Sequence, residues 1–158
     1  MDGSQPLNPF LAGNYAPVAD EADFDLTVTG EIPAALAGAF YRNGPNPQFA
    51  PRGEHHWFVG DGMLHAFHLE GGRASYRNRW VRTPKWLSEN EAGQALFGTF
   101  GNPMTSDPSV SGKDSGVANT NIVWHAGRLM ALEEAHKPFE LDPRNLESRG
   151  YVEPPKGP

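Results

Sequence analysis

Six histidines are the residues of this chain that first suggest a metal site. The adjacent pair His55–His56 would point to opposite faces of a strand, so the two rings cannot share one ion. His65 and His68 are three residues apart, which suits one face of a helix, but their segment has the pattern of a strand. Local spacing therefore gives no zinc or iron signature, and we expect surface imidazoles or core imidazoles with satisfied hydrogen bonds. The six are His55, His56, His65, His68, His125 and His136.

Two carboxylates, Glu133 and Glu134, follow the apolar run Leu129–Leu132. On an alternating strand one of the two would point inward, which is costly unless its oxygens receive hydrogen bonds. An imidazole N–H is a natural donor, and this arrangement commonly supports a metal-bound histidine. The alternative is that both carboxylates are solvated at the end of the strand, and the residues alone favour that alternative.

Other common kinds of catalytic site find no support. The run Gly60-Asp61-Gly62 resembles the start of a dinucleotide fingerprint but lacks the third glycine and a following helix, so it predicts a tight turn. The serines lack the context of a nucleophile elbow. The absence of cysteine excludes disulfides and thiolate metal sites and fits a reducing cytoplasm.

The charge pattern argues against nucleic acid as a partner. The formal net charge is −6, with acidic and basic residues interspersed rather than gathered into a basic stripe. The first eight residues do not have the pattern of a signal peptide, and no apolar run is long enough for a spanning helix. We therefore expect a cytoplasmic protein that touches a membrane from one side at most.

Two hairpins are the clearest structural elements. The first pairs Met63–Leu69 with Ala74–Val81 across a glycine-rich turn, and its second arm alternates large apolar and polar residues. The second pairs Asn121–His125 with Arg128–Glu133 across Ala126-Gly127. With 18 glycines and 15 prolines spread along the chain, the pattern favours an all-β protein, and it leaves sandwich, barrel and propeller open.

The remaining segments are less regular. Residues 1–22 are predicted to form an arm, Asp25–Thr29 and Ala39–Asn43 short strands, and residues 31–38 one short helical turn. The long connection 84–118 is predicted to contain a helix over Ser88–Phe97. A last strand is predicted at Phe139–Asp142.

Several blocks, taken in order over most of residues 30–150, resemble the carotenoid cleavage oxygenase family, which includes lignostilbene dioxygenases and retinal-pigment-epithelium isomerases. Each block is short, and their order carries the resemblance. The blocks are Gly30–Pro33, Gly38, Phe40–Pro47, His56–His65, Tyr76–Thr83, Ala118–Thr120, Leu129–Glu134, Leu141–Pro143 and Leu146–Gly150. Val59 departs from the family, whose members usually have Asp at this position of the turn.

The resemblance implies a seven-bladed β-propeller, of which this chain would hold the N-terminal arm (residues 1–22) and the first one or two blades (residues 23–158). It implies Fe(II) held by four histidines, with three outer glutamates orienting three of them. Glu134 stands where the first of these glutamates falls, which favours an inward side chain for Glu134 and makes Glu133 the outward neighbour. No ligand motif matches a histidine of this chain, so the resemblance implies no catalytic or metal-binding residue here and no activity of the chain alone.

The implied reaction splits an alkene bond of a carotenoid, apocarotenoid or stilbene-like substrate with O2 and gives two carbonyl products; isomerisation is not distinguished from cleavage. The region Trp86–Phe100 resembles a segment that contacts membranes in some relatives, and an ordinary surface loop is equally expected. A non-enzymatic propeller that binds a ligand and a truncated product without function are the alternatives to the enzyme.

Overall fold

Two antiparallel sheets of four strands each make up most of the fold in the computed structural model, which describes residues 8–99 and 102–153. A long connection with one α-helix joins the sheets. The strands are β1 (Ala22–Leu26), β2 (Gly38–Pro45), β3 (Gly62–Glu70), β4 (Arg73–Trp80), β5 (Asn121–His125), β6 (Arg128–Leu132), β7 (Phe139–Leu141) and β8 (Ser148–Tyr151), and the helix is α1 (Pro84–Ala92). Short 3-10 turns occur at Pro9–Leu11, Gly13–Tyr15, Trp57–Val59, Pro103–Thr105 and Pro108–Val110.

The first sheet has the order β1-β4-β3-β2. Its central hairpin, β3–β4, turns at Gly71 and Gly72, whose φ angles are 56° and 75°. Two successive positive φ angles define the turn whose twist matches that of paired strands, and glycine adopts them without strain. The predicted first hairpin is therefore confirmed. β1 lies at one edge of this sheet, three residues earlier than the strand predicted at Asp25–Thr29.

The second sheet is a meander of β5, β6, β7 and β8. The hairpin β5–β6 turns at Ala126 and Gly127, again with positive φ angles of 50° and 76°. This second hairpin and the strand at residue 139 were predicted; β8 was missed, because its sequence Ser-Arg-Gly-Tyr has neither apolar alternation nor β-branched residues. The all-β prediction and the prediction of one or two blades are confirmed, with a sheet for each of two blades.

The main core lies between the two sheets. Alternate residues of β3 point at the second sheet, and alternate residues of β6 and β7 point back. At the edge of this core the hydroxyl of Tyr41 donates to the carbonyl of Pro143 at 2.7 Å. The buried residues of the core are Leu64, Ala66, Val81, Ala118, Leu129, Ala131, Phe139, Leu141 and Leu146.

The opposite face of the first sheet carries a row of four aromatic rings, one from each strand. Phe24, Tyr76, Phe67 and Phe40 are register neighbours, with ring centroids 5.3, 5.1 and 6.3 Å apart in that order. The three phenylalanines are exposed in the part of the chain that the structure describes. An uncovered apolar face is what an outer blade of an incomplete propeller presents.

The helix α1 begins four residues earlier than predicted. Pro84 occupies its first turn, Thr83 caps it by accepting from the N–H of Trp86 at 3.3 Å, and Gly93 ends it with φ 68°. Proline inside the start and glycine after the end are the usual signals for such bounds. The helical turn predicted for residues 31–38 is instead a single hydrogen-bonded turn, closed by the N–H of Leu36 on the carbonyl of Pro33 at 2.9 Å.

The N-terminal arm packs its rings on the first sheet's connections. Phe10 and Tyr15 lie against Trp57, with ring centroids 5.9 and 4.6 Å away. Residues 1–7 and 154–158 lie outside the described ranges. The division between an arm at residues 1–22 and a propeller part at residues 23–158 stays a prediction.

A buried lysine ties α1 to the first sheet. The Nζ of Lys85 donates to Asp61 Oδ1 and to Glu89 Oε2, each at 2.7 Å. The other oxygen of Glu89 accepts from the N–H groups of Leu96 and Phe97 at 2.8 and 3.0 Å. Burial alone would lower the pKa of Lys85, but the charges and hydrogen bonds of the two carboxylates outweigh it and raise that pKa. The cluster therefore holds a charged lysine between two buried carboxylates.

Replacing this lysine is expected to be strongly destabilising. Lys85→Met leaves Asp61 and Glu89 buried without their cation, and we expect a loss of about 3–5 kcal/mol in the free energy of unfolding. Urea unfolding measures it. Lys113→Met, at an exposed lysine, is the control and should change the free energy little. Equal free energies of unfolding for the two variants would contradict a stabilising role of the Lys85 cluster.

Three histidines have lowered pKa values: His65 and His68 in β3 and His55 in the connection before it. Burial is the main cause for His55, His65 and His68, and nearby positive charges, such as Lys85 beside His55, add to it. The Nδ1 of His65 lies 2.7 Å from the hydroxyl of Tyr76. These imidazoles are therefore neutral in the fold at pH values where a free imidazole begins to take up a proton.

Acid should destabilise the fold through these histidines. An imidazole whose pKa is lower in the folded state takes up its proton first in the unfolded state, so stability falls as pH drops below about 6.5. Unfolding free energies measured between pH 8 and pH 5 should therefore decrease, and His65→Gln should flatten the slope. His125→Gln, at an exposed histidine of the second hairpin, is the control. A slope that His65→Gln leaves unchanged would show that His65 contributes nothing.

Candidate functional site

The candidate site lies where the hairpin β5–β6 ends. The N–H of Thr120 donates to the carbonyl of Leu132 at 3.0 Å, which continues the pairing of the two strands past Asn121. Glu133 and Glu134 follow directly after β6. The sequence thus brings two carboxylates and one hydroxyl to the same end of the second sheet.

Glu133 is the buried carboxylate of the pair. Its side chain is 6% exposed, and Oε2 accepts from the N–H groups of Val117 and Ala118 at 2.6 and 2.7 Å. Oε1 contacts Nδ1 of His136. The expectation that Glu133 points outward is therefore wrong: it turns into the protein, where two backbone donors compensate for the loss of water.

The segment that Glu133 holds, residues 117–120, runs between the two sheets. Ala118 is buried with a left-handed φ of 47°, which is uncommon for a residue other than glycine. From the first sheet, Asn43 Nδ2 donates to the carbonyl of Ala118 and the N–H of Gly62 to that of Val117, each at 2.8 Å. A Cβ at Gly62 would overlap the Ala118 carbonyl oxygen, so only glycine fits there.

Asn119 fixes the next residue of the same segment. Its Nδ2 donates to the carbonyls of Gly60 and Phe58 at 2.6 and 2.9 Å, and the residue is buried. Sequence reasoning missed Asn43, Gly62 and Asn119 as residues that shape the site, although all three fall in blocks that carry the family resemblance. Their partners are far away in the chain, so no local pattern could have linked them.

Glu134 is exposed. Its Oε2 lies 3.2 Å from Oγ1 of Thr120, within reach of a hydroxyl donor. The structure thus places the predicted site residue next to Thr120, which the sequence had not singled out as a partner. Its predicted role, orienting a metal-bound imidazole, stays a prediction.

Behind Glu133 lies a small polar cluster. The hydroxyl of Tyr151 and the N–H of Gly116 donate to Asp114 Oδ1 at 2.9 and 2.8 Å, and the ring of His136 stacks on Tyr151. Burial, followed by the hydrogen bond to Asp114, raises the pKa of Tyr151. Tyr151 is therefore a neutral donor here at any physiological pH.

A ferrous ion does not fit the residues described. Among residues 8–99 and 102–153 no group of three or more histidines and carboxylates could hold a metal ion. As expected for strand neighbours three apart, His65 and His68 lie on opposite faces: His65 against Tyr76 and His68 against Tyr41 on the side of the second sheet. The chemical groups that the candidate site does offer are the exposed carboxylate of Glu134 and the neighbouring hydroxyl of Thr120.

The large apolar side chains of the region Trp86–Phe100 differ in their exposure. Trp86 and Leu96 are 6% and 7% exposed, so these two side chains are packed within the protein. Leu87 is exposed, and Phe100 lies outside the described residues. No helix within the described ranges has the length and apolar character needed to cross a bilayer.

Comparison with known proteins identifies the family. Residues 15–156 match the family described as retinal pigment epithelial membrane protein (RPE65). The chain is 49% identical over 144 residues to an isoeugenol monooxygenase of Pseudomonas nitroreducens, covering 90% of this chain and 30% of that protein. It is 38% identical over 172 residues to carotenoid 9,10(9',10')-cleavage dioxygenase 1 of Arabidopsis thaliana, covering 96% of this chain and 32% of that protein.

A solved structure agrees in fold. The crystal structure of Pseudomonas brassicacearum lignostilbene dioxygenase superimposes with a TM-score of 0.86 at 38% identity, covering 93% of this chain and 31% of that one. The chain thus spans about 30% of the length of the relatives it matches, in agreement with an incomplete propeller. With the match over residues 15–156, these similarities show that the chain belongs to the retinal pigment epithelial membrane protein family of carotenoid and stilbene cleavage oxygenases.

Proposed function

We propose that this chain provides the first two blades of a non-haem Fe(II) dioxygenase that cleaves an alkene bond with O2. The observation that carries the proposal is the similarity, over nine-tenths of the chain, to an isoeugenol monooxygenase and to a carotenoid cleavage dioxygenase. The lignostilbene dioxygenase with the same fold supports it. Isoeugenol, lignostilbenes and carotenoids share a conjugated carbon–carbon double bond, so the proposed substrate is an apolar conjugated alkene.

Iron enters the proposal through the family resemblance, as the group that would supply O2 activation when bound. Because the described residues hold no set of ligands for it, its four histidines would lie outside them. We propose that the residues of this chain form scaffold for the iron centre, and that one of them also orients an iron ligand. Glu134, exposed and next to the hydroxyl of Thr120, is the carboxylate proposed to accept a hydrogen bond from a ligand imidazole.

The proposal is tested by comparing two polypeptides. The 158-residue chain supplied with ferrous ion should release no carbonyl products from isoeugenol, a lignostilbene or a carotenoid. The complete product of the gene should cleave at least one of them, and mass spectrometry should find 18O from 18O2 in the products.

Reading the coding sequence after Pro158 is the control for this comparison. Four histidines in later blades support the enzyme, whereas their absence favours a non-enzymatic binding module, and an immediate stop codon in the native transcript favours a truncated product. Turnover by the 158-residue chain itself would contradict the proposal, since it would place the iron centre within this chain.

Peripheral membrane contact from the cytoplasm is a second, separate proposal. The exposed side chains of Leu87, in α1, and of Met104, in the connection after α1, support it. We expect Leu87→Ser with Met104→Ser to reduce co-sedimentation of the protein with liposomes. Phe24→Ser, on the exposed aromatic row of the first sheet, is the control. Co-sedimentation that the double variant leaves unchanged would remove this proposal.

A further inference from the structure

The carboxylate of Glu133 joins the end of β6 to the segment that leads into β5. It accepts from two consecutive N–H groups, those of Val117 and Ala118, while the carbonyls of the same two residues are held by the first sheet. We propose that Glu133 is a positioning residue, which fixes residues 117–118 so that the hydroxyl of Thr120 meets the carboxylate of Glu134. The inference rests on the proposed function in that Glu134 is the carboxylate used there.

The conformation of Ala118 shows why these two hydrogen bonds of Glu133 to Val117 and Ala118, called the Glu133 clamp below, are needed. A left-handed φ brings the Cβ of an alanine close to the backbone and is unfavourable without compensating contacts. Asn43 and Gly62 hold the carbonyl side of this turn, and Glu133 holds its N–H side. Because Ala118 is buried and Val117 half-buried, water could not easily replace a lost acceptor, above all at the N–H of Ala118.

Asn119 and Thr120, the two residues after the clamped pair, connect the Glu133 clamp to Glu134. Asn119 is anchored on the carbonyls of Gly60 and Phe58, and the N–H of Thr120 is paired with Leu132. The hydroxyl of Thr120 then lies 3.2 Å from Glu134 Oε2. A shift of residues 117–118 would therefore be passed on to Thr120, and the exposed carboxylate would lose its neighbouring donor.

The choice of a carboxylate at this position supports a positioning role over simple packing. Glu133 continues the alternation of Leu129 and Ala131, whose side chains lie in the core between the sheets. An apolar side chain would serve burial on this face better than a carboxylate. Two N–H groups of the turn need an acceptor at the same place. The carboxylate oxygen Oε2 of Glu133 has enough lone pairs to accept from both, which an apolar side chain could not do.

Nuclear magnetic resonance on the 158-residue chain tests the inference directly. Glu133→Leu removes the acceptor, and Glu133→Gln keeps an oxygen of similar position without the charge. Loss of their acceptor should speed amide exchange at Val117 and Ala118 about ten- to hundredfold in the leucine variant. The methyl resonance of Thr120 and the carboxyl carbon resonance of Glu134 should move with it, and the glutamine variant should restore both in part.

Two controls separate positioning from general stability. Glu91→Gln, at an exposed residue of α1, should leave all four signals unchanged. Phe67→Ala should lower the free energy of unfolding while the Thr120 and Glu134 resonances keep their positions, because the Phe67 ring lies in the aromatic row on the face of the first sheet that points away from the second.

Unchanged Thr120 and Glu134 resonances in Glu133→Leu would overturn the inference. If the leucine variant does not fold, the unmodified chain decides: couplings across the hydrogen bonds from the Val117 and Ala118 nitrogens to the Glu133 carboxyl carbon support the clamp, and their absence overturns it. Inactivity of the complete gene product would instead remove the proposed function and leave these measurements intact.

Discussion

The packing of the first sheet on the second is the interaction on which the rest of this structure depends. Leu64 from β3 meets a face built by Leu129 of β6 and Leu141 of β7, and all three are fully buried. Burial of a side chain of this size contributes about 1.5–3 kcal/mol, so this packing stabilises the docking of the two sheets. The segment 117–120 lies across the same interface, held by Asn43 and Gly62 from one sheet and by Glu133 from the other. The candidate site therefore exists only when the sheets are docked.

The same packing explains why the outer face of the first sheet is exposed. Each sheet buries one face against the other, and the outer face of the first sheet carries four aromatic rings in register. At one end of that face Trp86 of α1 packs on Met63 and Trp80. A propeller covers every blade on both sides, so an exposed aromatic row fits a family whose members are about three times as long as this chain.

Local signals in the sequence predicted the hairpins well. Two glycines between apolar runs, and Ala126-Gly127, specify tight turns through the conformations that these residues accept, and the strands on either side then pair in one register. The helix bounds followed equally simple signals, Pro84 and Gly93, that the prediction gave too little weight. β8 could not be predicted, because its strand conformation comes from pairing with β7 rather than from its own residues.

The two carboxylates show the limit of sequence reasoning more sharply. All four residues before Glu133 are apolar, so both faces of β6 look buried and alternation alone does not decide which glutamate turns inward. The decision comes from the N–H groups of Val117 and Ala118, which are supplied by a segment with an unusual backbone conformation. The family resemblance singled out Glu134 and made Glu133 the outward neighbour, whereas the structure buries Glu133 and leaves Glu134 exposed.

The central claim is that this chain supplies scaffold and one orienting carboxylate, Glu134, to an iron centre whose ligands lie outside it. A crystal structure of the complete gene product with its metal tests this claim most directly. The claim predicts an oxygen of Glu134 within about 2.7–3.2 Å of the N–H of an imidazole that binds iron through its other nitrogen, with Glu133 still on Val117 and Ala118. An iron centre whose ligands include histidines of residues 1–158, or a Glu134 carboxylate directed away from every ligand imidazole, would contradict it.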